Sequence, residues 1–365
     1  GAESSRFTHS IGVFCVARKI YNRLIEIDPK FESYKFSLYG AALLHDVGHG
    51  PLSHTSEQIF GHDHEDWSKK LIKDYTPINS ILKKYDAKAP TVIGDLFSSK
   101  NLLHNPLKTL ISSEIDCDRL DYLLRDSYNT GTKYGLVDLE RIISALTFSP
   151  DGGIAIKPKG IIAIEHFLIL RNIMYRSIYN HRINEICNWI LENIFTKIRT
   201  ELKSNLWIDD CLHNWIFEPQ KLNFSNFLSN DDIRLYYHLY KWKDEAPKPI
   251  STLCEMFMNR NLLKASSINS LSNINKLKLL AYARKKSSEN NYDPSLFCGI
   301  KEKKFNGFES NNSLKVWDGH YLKELDKESA LIKILIQNQD SSLIFYPACI
   351  KEEITKEILN LQTKE

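Results

Sequence analysis

The chain has 365 residues and a net charge of +3, and its 42% hydrophobic and 25% charged residues are typical of an ordinary globular protein. A charge this small gives no indication of a nucleic-acid groove or of binding to a membrane surface. No apolar run reaches the roughly 20 residues that cross a bilayer, and the seven cysteines are scattered without a CxxC pair. We therefore expect a cytoplasmic protein without disulfides or a membrane segment.

The first half of the chain is predicted to be helical. Apolar residues recur at helical spacing from Thr8 to Ile27. A second helix begins near Ser33 and leads into the pair His45-Asp46, where glycines and a proline stop it, so the pair lies at a helix C-terminus. Residues 147–156 change to two β-like runs around a Pro-Asp-Gly-Gly turn and predict a hairpin at the surface. Further helices are expected at 64–75, 77–85, 103–113, 117–129, 138–146, 159–181 and 182–204.

The second half begins with helices and ends with strands. Helical patterns continue at Ile233–Trp242 and Ile274–Arg284. Strands are expected at Ser295–Ile300, Leu314–Trp317 and Leu343–Tyr346. We therefore predict a mainly α protein with a helical core at residues 1–205, a helical extension at 206–289 and a small α+β region at 290–365.

The stretch His45-Asp46-Val-Gly-His49-Gly-Pro-Leu-Ser-His54 predicts a metal site. An adjacent imidazole and carboxylate supply two ligands for a first-row metal ion. His9 on the first helix and either Asp116 or Asp118 would complete a set of two imidazoles and two carboxylates. Such a set leaves positions on the ion open for water and a phosphate oxygen. An ion held in this way converts its bound water to hydroxide near neutral pH. His9 in isolation is better explained as an ordinary helix histidine, whereas the ten-residue stretch is not explained by structure alone.

Three motifs carry a resemblance to a known family. The runs Arg6-Phe7-Thr8-His9-Ser10, residues 45–54 and Asp116–Tyr122 resemble the motifs of the HD-domain phosphohydrolases, and within them the deoxynucleoside-triphosphate triphosphohydrolases, including the sterile-alpha-motif HD enzyme and bacterial dGTPase-like proteins. The resemblance covers residues 1 to about 205 and extends more loosely beyond. It implies an all-helical HD core. It also implies an enzyme of the EC 3.1.5 class, in which a metal-activated water attacks the α-phosphorus of a dNTP and releases deoxynucleoside and tripolyphosphate.

The same resemblance assigns roles to individual residues. Asp118 is preferred over Asp116 as a ligand because it precedes the basic Arg119. Glu57 and His64 match a pair that delivers a proton to the leaving group. The implied metal ligands are His9, His45, Asp46 and Asp118. The implied catalytic residues are His49, which faces the α-phosphate, with His64 and Glu57. The implied substrate-binding residues are Arg6, His54, Arg119, Tyr122, Asp126, Arg171 and Tyr179.

Several of these assignments have plainer alternatives. Arg171 is also explained as a solvated helix charge, and Tyr179 as a core residue at helical spacing from Tyr175. Tyr175 and Asn180 stand where family members often carry histidine and glutamine, so contacts with the sugar and base are expected to differ. The chain opens on Gly1 without a methionine, and we expect the natural protein to extend beyond it.

The remaining expectations concern cofactor, partners and rival functions. One divalent ion is expected, and the ligand set accepts Mg, Mn, Fe, Ni or Zn. Relatives assemble, so a homodimer or homotetramer is expected, and an allosteric nucleotide is left open. One rival function is an HD-type phosphodiesterase or nuclease acting on cyclic nucleotides or oligonucleotides, although the HHExxDGxGYP signature is missing. The other rival is a non-catalytic nucleotide-binding assembly module, against which the intact ligand set argues.

Overall fold

The computed structural model describes residues 3–97, 106–201, 206–305, 314–335 and 339–363. In these ranges the α-helices are α1 (Arg6–Ile27), α2 (Lys35–Leu44), α3 (His54–Phe60), α4 (His64–Asp74), α5 (Thr76–Tyr85), α6 (Ala89–Leu96), α7 (Pro106–Ile111), α8 (Cys117–Thr130), α9 (Leu139–Ala145), α10 (Ile161–Met174), α11 (Arg182–Glu201), α12 (Asp210–Phe217), α13 (Phe224–Ser229), α14 (Asp232–Glu245), α15 (Ile250–Met258), α16 (Asn273–Glu289), α17 (Pro294–Phe297), α18 (Leu325–Glu328), α19 (Ala330–Leu335) and α20 (Lys351–Gln362). The strands are β1 (Leu146–Phe148), β2 (Ile154–Ile156), β3 (Lys264–Ser267), β4 (Gly299–Phe305), β5 (Lys315–Trp317), β6 (Leu322–Glu324) and β7 (Gln339–Tyr346).

The mainly helical fold is confirmed. The predicted helix at 159–181 is α10 followed by a π-helical turn at Tyr175–Tyr179. Of the helix expected at 103–113, residues 103–105 lie outside the described residues, and α7 covers the part from Pro106. Residues 202–204 of the next expected helix also lie outside them. Nine of the described helices were not predicted: α3, α6, α12, α13, α15, α17, α18, α19 and α20.

Two sequence predictions about β-structure need correction. The hairpin forms as β1 and β2, but its surface position is wrong for β2, whose three residues are all buried. β2 is an inner strand of a sheet ordered β1-β2-β5-β6, in which it pairs in parallel with β5, and α7 packs against it. The strand expected at Ser295–Ile300 begins as α17, because the Asp293 side chain accepts from the Ser295 N–H and Pro294 occupies the first helical position. The strand β4 starts only at Gly299.

The described residues form two compact units. The first takes them from 1–49, 63–178 and 306–338, and the second from 50–62, 179–305 and 339–365. Because each unit is assembled from separate stretches of the chain, a division into three consecutive regions remains a prediction. All seven cysteines are free thiols. No helix among the described residues is long and apolar enough to cross a membrane.

In the first unit, α1 packs against α2 and α8. Its buried residues follow helical spacing and form one stripe: Val13, Val16, Ala17, Ile20, Tyr21 and Leu24. His9 lies one turn before this stripe and therefore faces the same two helices. The packing of α1 thus brings a histidine to the end of α2 and the start of α8.

The second unit is built around an antiparallel sheet ordered β3-β7-β4. Ile344 and Tyr346 of β7 are buried with Leu279 of α16, and α11 packs against α15. This unit also contains α3, which carries part of the predicted histidine-rich motif.

Candidate metal centre

The turn that carries the histidine-aspartate pair is held by Gly48. The helix α2 ends at Leu44, and His45 is its C-terminal cap. The Gly48 N–H donates to the Ser68 hydroxyl at 2.9 Å, and this hydroxyl donates to the His45 carbonyl at 2.9 Å. A Cβ atom on Gly48 would lie 2.2 Å from the His64 carbonyl oxygen and 2.3 Å from the Ser68 nitrogen. Only glycine therefore fits, and the turn is fastened to α4.

The four predicted metal ligands converge in the first unit. The Nε2 atoms of His9 and His45 are 3.2 Å apart. Asp118 Oδ1 lies 2.9 Å from the first and 3.6 Å from the second. The carboxylate oxygens of Asp46 lie 3.3 Å from His45 Nε2 and 3.6 Å from His9 Nε2. Ligands bonded to one ion at about 2.1 Å are separated by roughly 3.0–3.4 Å in octahedral or tetrahedral geometry, so this donor set fits a divalent first-row ion.

The second ring nitrogen of each histidine is also engaged. His9 Nδ1 donates to Asp121 Oδ2 at 2.7 Å, and His45 Nδ1 donates to the Ala42 carbonyl at 2.9 Å. Because both acceptors lack a proton, each Nδ1 carries a hydrogen, which leaves Nε2 as the nitrogen that can bind an ion. Asp121 was not predicted from the sequence. Its spacing of three residues from Asp118, on the same face of α8, was the available signal.

The electrostatics of the cluster favour a cation. Burial lowers the pKa of His9, but hydrogen bonds to Asp118 and Asp121 outweigh it and raise the pKa to about 9. Burial raises the pKa of the Asp118 carboxyl, but hydrogen bonds from His45 and His9 bring it well below its usual range. The pKa of Asp46 is likewise depressed, since its histidine neighbours and Arg6 outweigh burial. Both carboxylates are therefore ionised at neutral pH.

Asp116 and Asp118, the two carboxylates considered as ligands, have different surroundings. Asp116 is the N-cap of α8 and accepts from the backbone N–H groups of Arg119 at 2.8 Å and Ser113 at 3.1 Å. Its carboxylate also pairs with the Arg119 guanidinium. Asp118 lies two residues further, in the first turn of α8, and among the described residues it shares a cluster of potential ligands with His9 and His45. The cap therefore orients the helix that presents Asp118.

Three further predicted residues of the first unit lie beside this cluster. The Arg6 guanidinium pairs with the Asp46 carboxylate. The His49 ring stacks on the His64 ring with 4.0 Å between centroids, and His49 Nε2 lies 3.4 Å from Asp46 Oδ1. Two imidazoles and one guanidinium thus border the predicted ligands.

A second group of predicted residues lies around Arg171, on α8, on α10 and in the segments next to them. Arg171 is paired with Glu114, and both side chains are nearly inaccessible. The Arg171 guanidinium lies 5.6 Å from the centroid of the Tyr175 ring, whose hydroxyl is 3.4 Å from that of Tyr122. The Nε–H groups of Arg119 and Arg171 are buried without a hydrogen-bond partner among the described residues. Arg171 is therefore not the solvated charge of the plainer interpretation.

The other predicted residues are less informative. Asp126 is half-buried on α8 in the first unit, and its carbonyl accepts from the Thr130 hydroxyl at 2.6 Å. In the second unit, His54 is exposed, and its Nδ1 lies 3.4 Å from Glu57 Oε2. Tyr179 is half-buried, and its carbonyl accepts from the Asn184 amide at 3.4 Å. The pairing of Glu57 with His64 and the role of Tyr179 remain predictions.

Comparison with known proteins identifies the family. Residues 6–125 match the HD domain, and residues 137–363 match the HD associated region. The chain therefore belongs to the HD-domain phosphohydrolase superfamily, as the three sequence motifs predicted. The four predicted ligands all lie within the matched HD domain.

Individual relatives agree with this family. The chain is similar to the uncharacterized protein YwfO of Bacillus subtilis, with 34% identity over 74% of this chain and 62% of the relative. It is 30% identical to a deoxynucleoside triphosphate triphosphohydrolase SAMHD1 homolog of Dictyostelium discoideum, over 57% of this chain and 43% of the relative. Matches to the first four curated relatives span 40–62% of their length. The crystal structure of a phosphohydrolase from Bacteroides thetaiotaomicron superposes with a TM-score of 0.77 and 25% identity, over 93% of this chain and 87% of that one.

Proposed function

We propose that the chain is a metal-dependent phosphohydrolase that converts dNTPs into deoxynucleoside and tripolyphosphate. The observation that carries this proposal is the convergence of His9, His45, Asp46 and Asp118, bordered by Arg6 and two stacked imidazoles. A divalent ion bound there would supply a Lewis acid and lower the pKa of water toward neutrality. The choice of dNTP as substrate is supported by the Dictyostelium relative, which is named as a dNTP triphosphohydrolase.

Two arginines with buried Nε–H groups support a phosphate-bearing substrate. Arg119 and Arg171 each use part of the guanidinium for a carboxylate and keep a buried Nε–H without a hydrogen-bond partner among the described residues. An unpaired buried donor costs about 1–3 kcal/mol, so a ligand that accepts from it is favoured. The planar guanidinium matches the oxygen spacing of a phosphate. We assign both residues to the phosphate chain, together with Arg6 and His54.

The remaining substrate contacts follow the family assignment. His49 would face the α-phosphate, and the His64-Glu57 pair would give a proton to the departing 5′-oxygen. Tyr122 would donate to the phosphate chain, Asp126 would accept from the sugar 3′-hydroxyl, and Tyr179 would lie against the sugar or base. The stacking of the His49 ring on the His64 ring supports the proposal that both imidazoles lie next to the same phosphate.

A product assay tests the proposal. The purified chain is incubated with each dNTP and Mn²⁺ or Mg²⁺, and products are separated by ion-exchange chromatography. Deoxynucleoside and tripolyphosphate are expected; dNMP with pyrophosphate would contradict the proposal. Parallel incubations with cyclic dinucleotides and single-stranded DNA test the phosphodiesterase alternative. Elemental analysis of the protein as purified identifies the metal.

A variant separates catalysis from mere binding. Replacing His45 and Asp46 by alanine should remove both metal and turnover. Glu26→Gln is the matched control, because Glu26 is an exposed carboxylate on α1 that pairs only with Arg23 in the described interactions. If the double variant, without metal or turnover, still replaced the wild-type protein in cells, a non-catalytic assembly module would be favoured.

We also propose that the chain forms a homodimer or homotetramer. In the second unit, α14 exposes Ile233, Tyr237 and Tyr240, with 79%, 56% and 55% of their surface accessible. These residues share one face of the helix and form an apolar stripe. Light scattering should show an oligomer that Tyr237→Glu combined with Tyr240→Glu weakens. A monomeric wild type would refute the assembly.

A further inference from the structure

A carboxylate behind the predicted metal cluster has no assigned role. Asp121 is only 8% exposed, yet it belongs to neither the ligand set nor the phosphate-binding set. Its Oδ2 accepts from His9 Nδ1 at 2.7 Å, on the side of the ring away from Asp118. A hydrogen bond of this kind determines both the tautomer and the orientation of an imidazole.

Asp121 is itself held by a bidentate partner. Arg125 Nε donates to Oδ2 at 2.7 Å, and Arg125 Nη2 donates to Oδ1 at 3.0 Å. Both carboxylate oxygens are therefore used, and the carboxylate plane is defined by the planar guanidinium. Asp118, Asp121 and Arg125 recur along one face of α8. This helix therefore carries a predicted metal ligand, the carboxylate that accepts from His9 and the arginine that holds this carboxylate.

A glycine on α1 leaves the space that this arrangement needs. A Cβ atom on Gly12 would lie 2.0 Å from Asp121 Oδ1 and 2.2 Å from Arg125 Nη2. Gly12 is one turn from His9 on the same helix, and glycine is otherwise unfavourable in a helix interior. The close approach of α1 to α8 at this position explains its presence.

We propose that Asp121, clamped by Arg125 in the space left by Gly12, is the positioning residue of the metal centre. It orients the His9 imidazole so that Nε2 faces the position of the metal ion, next to His45 Nε2 and the Asp118 carboxylate. This inference rests on the proposed metal-binding function and extends it to residues outside the ligand set. Removing such a partner typically weakens metal affinity about 10–100-fold.

The test measures metal binding rather than turnover. The full chain is stripped with EDTA and titrated with Co²⁺ by calorimetry, while the visible spectrum of bound Co²⁺ reports the coordination geometry. In Asp121→Asn the amide N–H₂ faces either His9 or Arg125, both donors, so the dissociation constant should rise about 10–100-fold and the spectrum should change. Glu26→Gln is the control carboxylate on α1 and should stay within about twofold of wild type.

Gly12→Ala provides an independent variant. It keeps every polar group but forces the Asp121–Arg125 pair to move, so it should weaken Co²⁺ binding about tenfold although alanine favours the helix. Circular dichroism identifies a variant that fails to fold. Co²⁺ binding by the other, folded variant then tests the positioning role of Asp121.

Three outcomes separate this inference from the proposed function. Wild-type affinity and spectrum in a folded Asp121→Asn or Gly12→Ala would overturn the positioning role and leave the proposed function standing. Weakened Co²⁺ binding in these variants, with a wild type that hydrolyses no dNTP, would support the positioning role and refute the proposed function. A wild type that binds no Co²⁺ would overturn both.

Discussion

The buried pair of Glu114 and Arg171 allows a quantitative test of the network behind the candidate site. The side chains are only 4% and 9% exposed, and Arg171 also experiences repulsion from Arg119. Glu114→Gln removes the compensating charge and leaves the guanidinium buried. Charges about 4 Å apart interact with about 4 kcal/mol at an effective dielectric constant of ~20. Breaking buried pairs generally costs about 3–5 kcal/mol.

This loss should appear in thermal unfolding. For a unit of about 200 residues, 1 kcal/mol corresponds to roughly 2–4 °C, so the midpoint should fall by roughly 6–20 °C. The matched control is Glu140→Gln, whose pair with Lys19 is exposed and should contribute below about 1 kcal/mol. Equal midpoint shifts for the two variants, measured by circular dichroism, would refute the reasoning.

A double variant then separates stability from function. Glu114→Leu combined with Arg171→Met replaces both charges by apolar groups, and such replacements of buried pairs are often neutral or stabilising. If Arg171 binds phosphate, this variant should fold normally and lose dNTP turnover. Full turnover in the double variant would reduce Arg171 to a structural residue.

Three other predictions follow from individual contacts. Gly48→Ala should destabilise the protein by about 3 kcal/mol in urea unfolding and weaken metal binding, because its Cβ meets backbone atoms that no side-chain rotation can move; a loss below about 1 kcal/mol would contradict this. Asp116→Ala should lower the free energy of unfolding by about 2 kcal/mol or more, and Asp116→Asn by less because asparagine still caps α8, so equal losses would count against the capping role. Burial raises the pKa of the Cys254 thiol to about 12, so at pH 8 a thiol reagent should label the exposed Cys349 and reach Cys254 only on unfolding, as peptide mass spectrometry would show.

The four predicted ligands, which the fold brings together, were chosen from motifs in the sequence. His45 and Asp46 are adjacent, and the helical periodicity of α1 places His9 on the face that packs against α2 and α8. The resemblance preferred Asp118 over Asp116 as a ligand, and the structure adds that the Asp116 carboxylate caps α8. Capping geometry depends on backbone angles that residue types alone do not specify.

Contacts between distant segments could not be predicted in this way. The hairpin strand β2 is an inner strand of its sheet, since β5, some 160 residues later in the sequence, pairs with its free edge. The role of Asp121 depends equally on the distance between α1 and α8, which is set by Gly12. A single glycine in a helical pattern is weak evidence for close packing of two helices. Such a glycine is also found where it has no packing role and only lowers helix stability.

The arginines predicted to bind phosphate share one property. In the first unit, Arg6 pairs with Asp46, Arg119 with Asp116 and Arg171 with Glu114. Each pair neutralises a cation that would otherwise be costly to bury or would repel its neighbours. Because a guanidinium has five donors in a rigid plane, one edge can bind a carboxylate while other donors remain directed elsewhere. A lysine could not divide its donors in fixed directions, so arginine at these positions favours prearranged recognition of an anion over simple charge attraction.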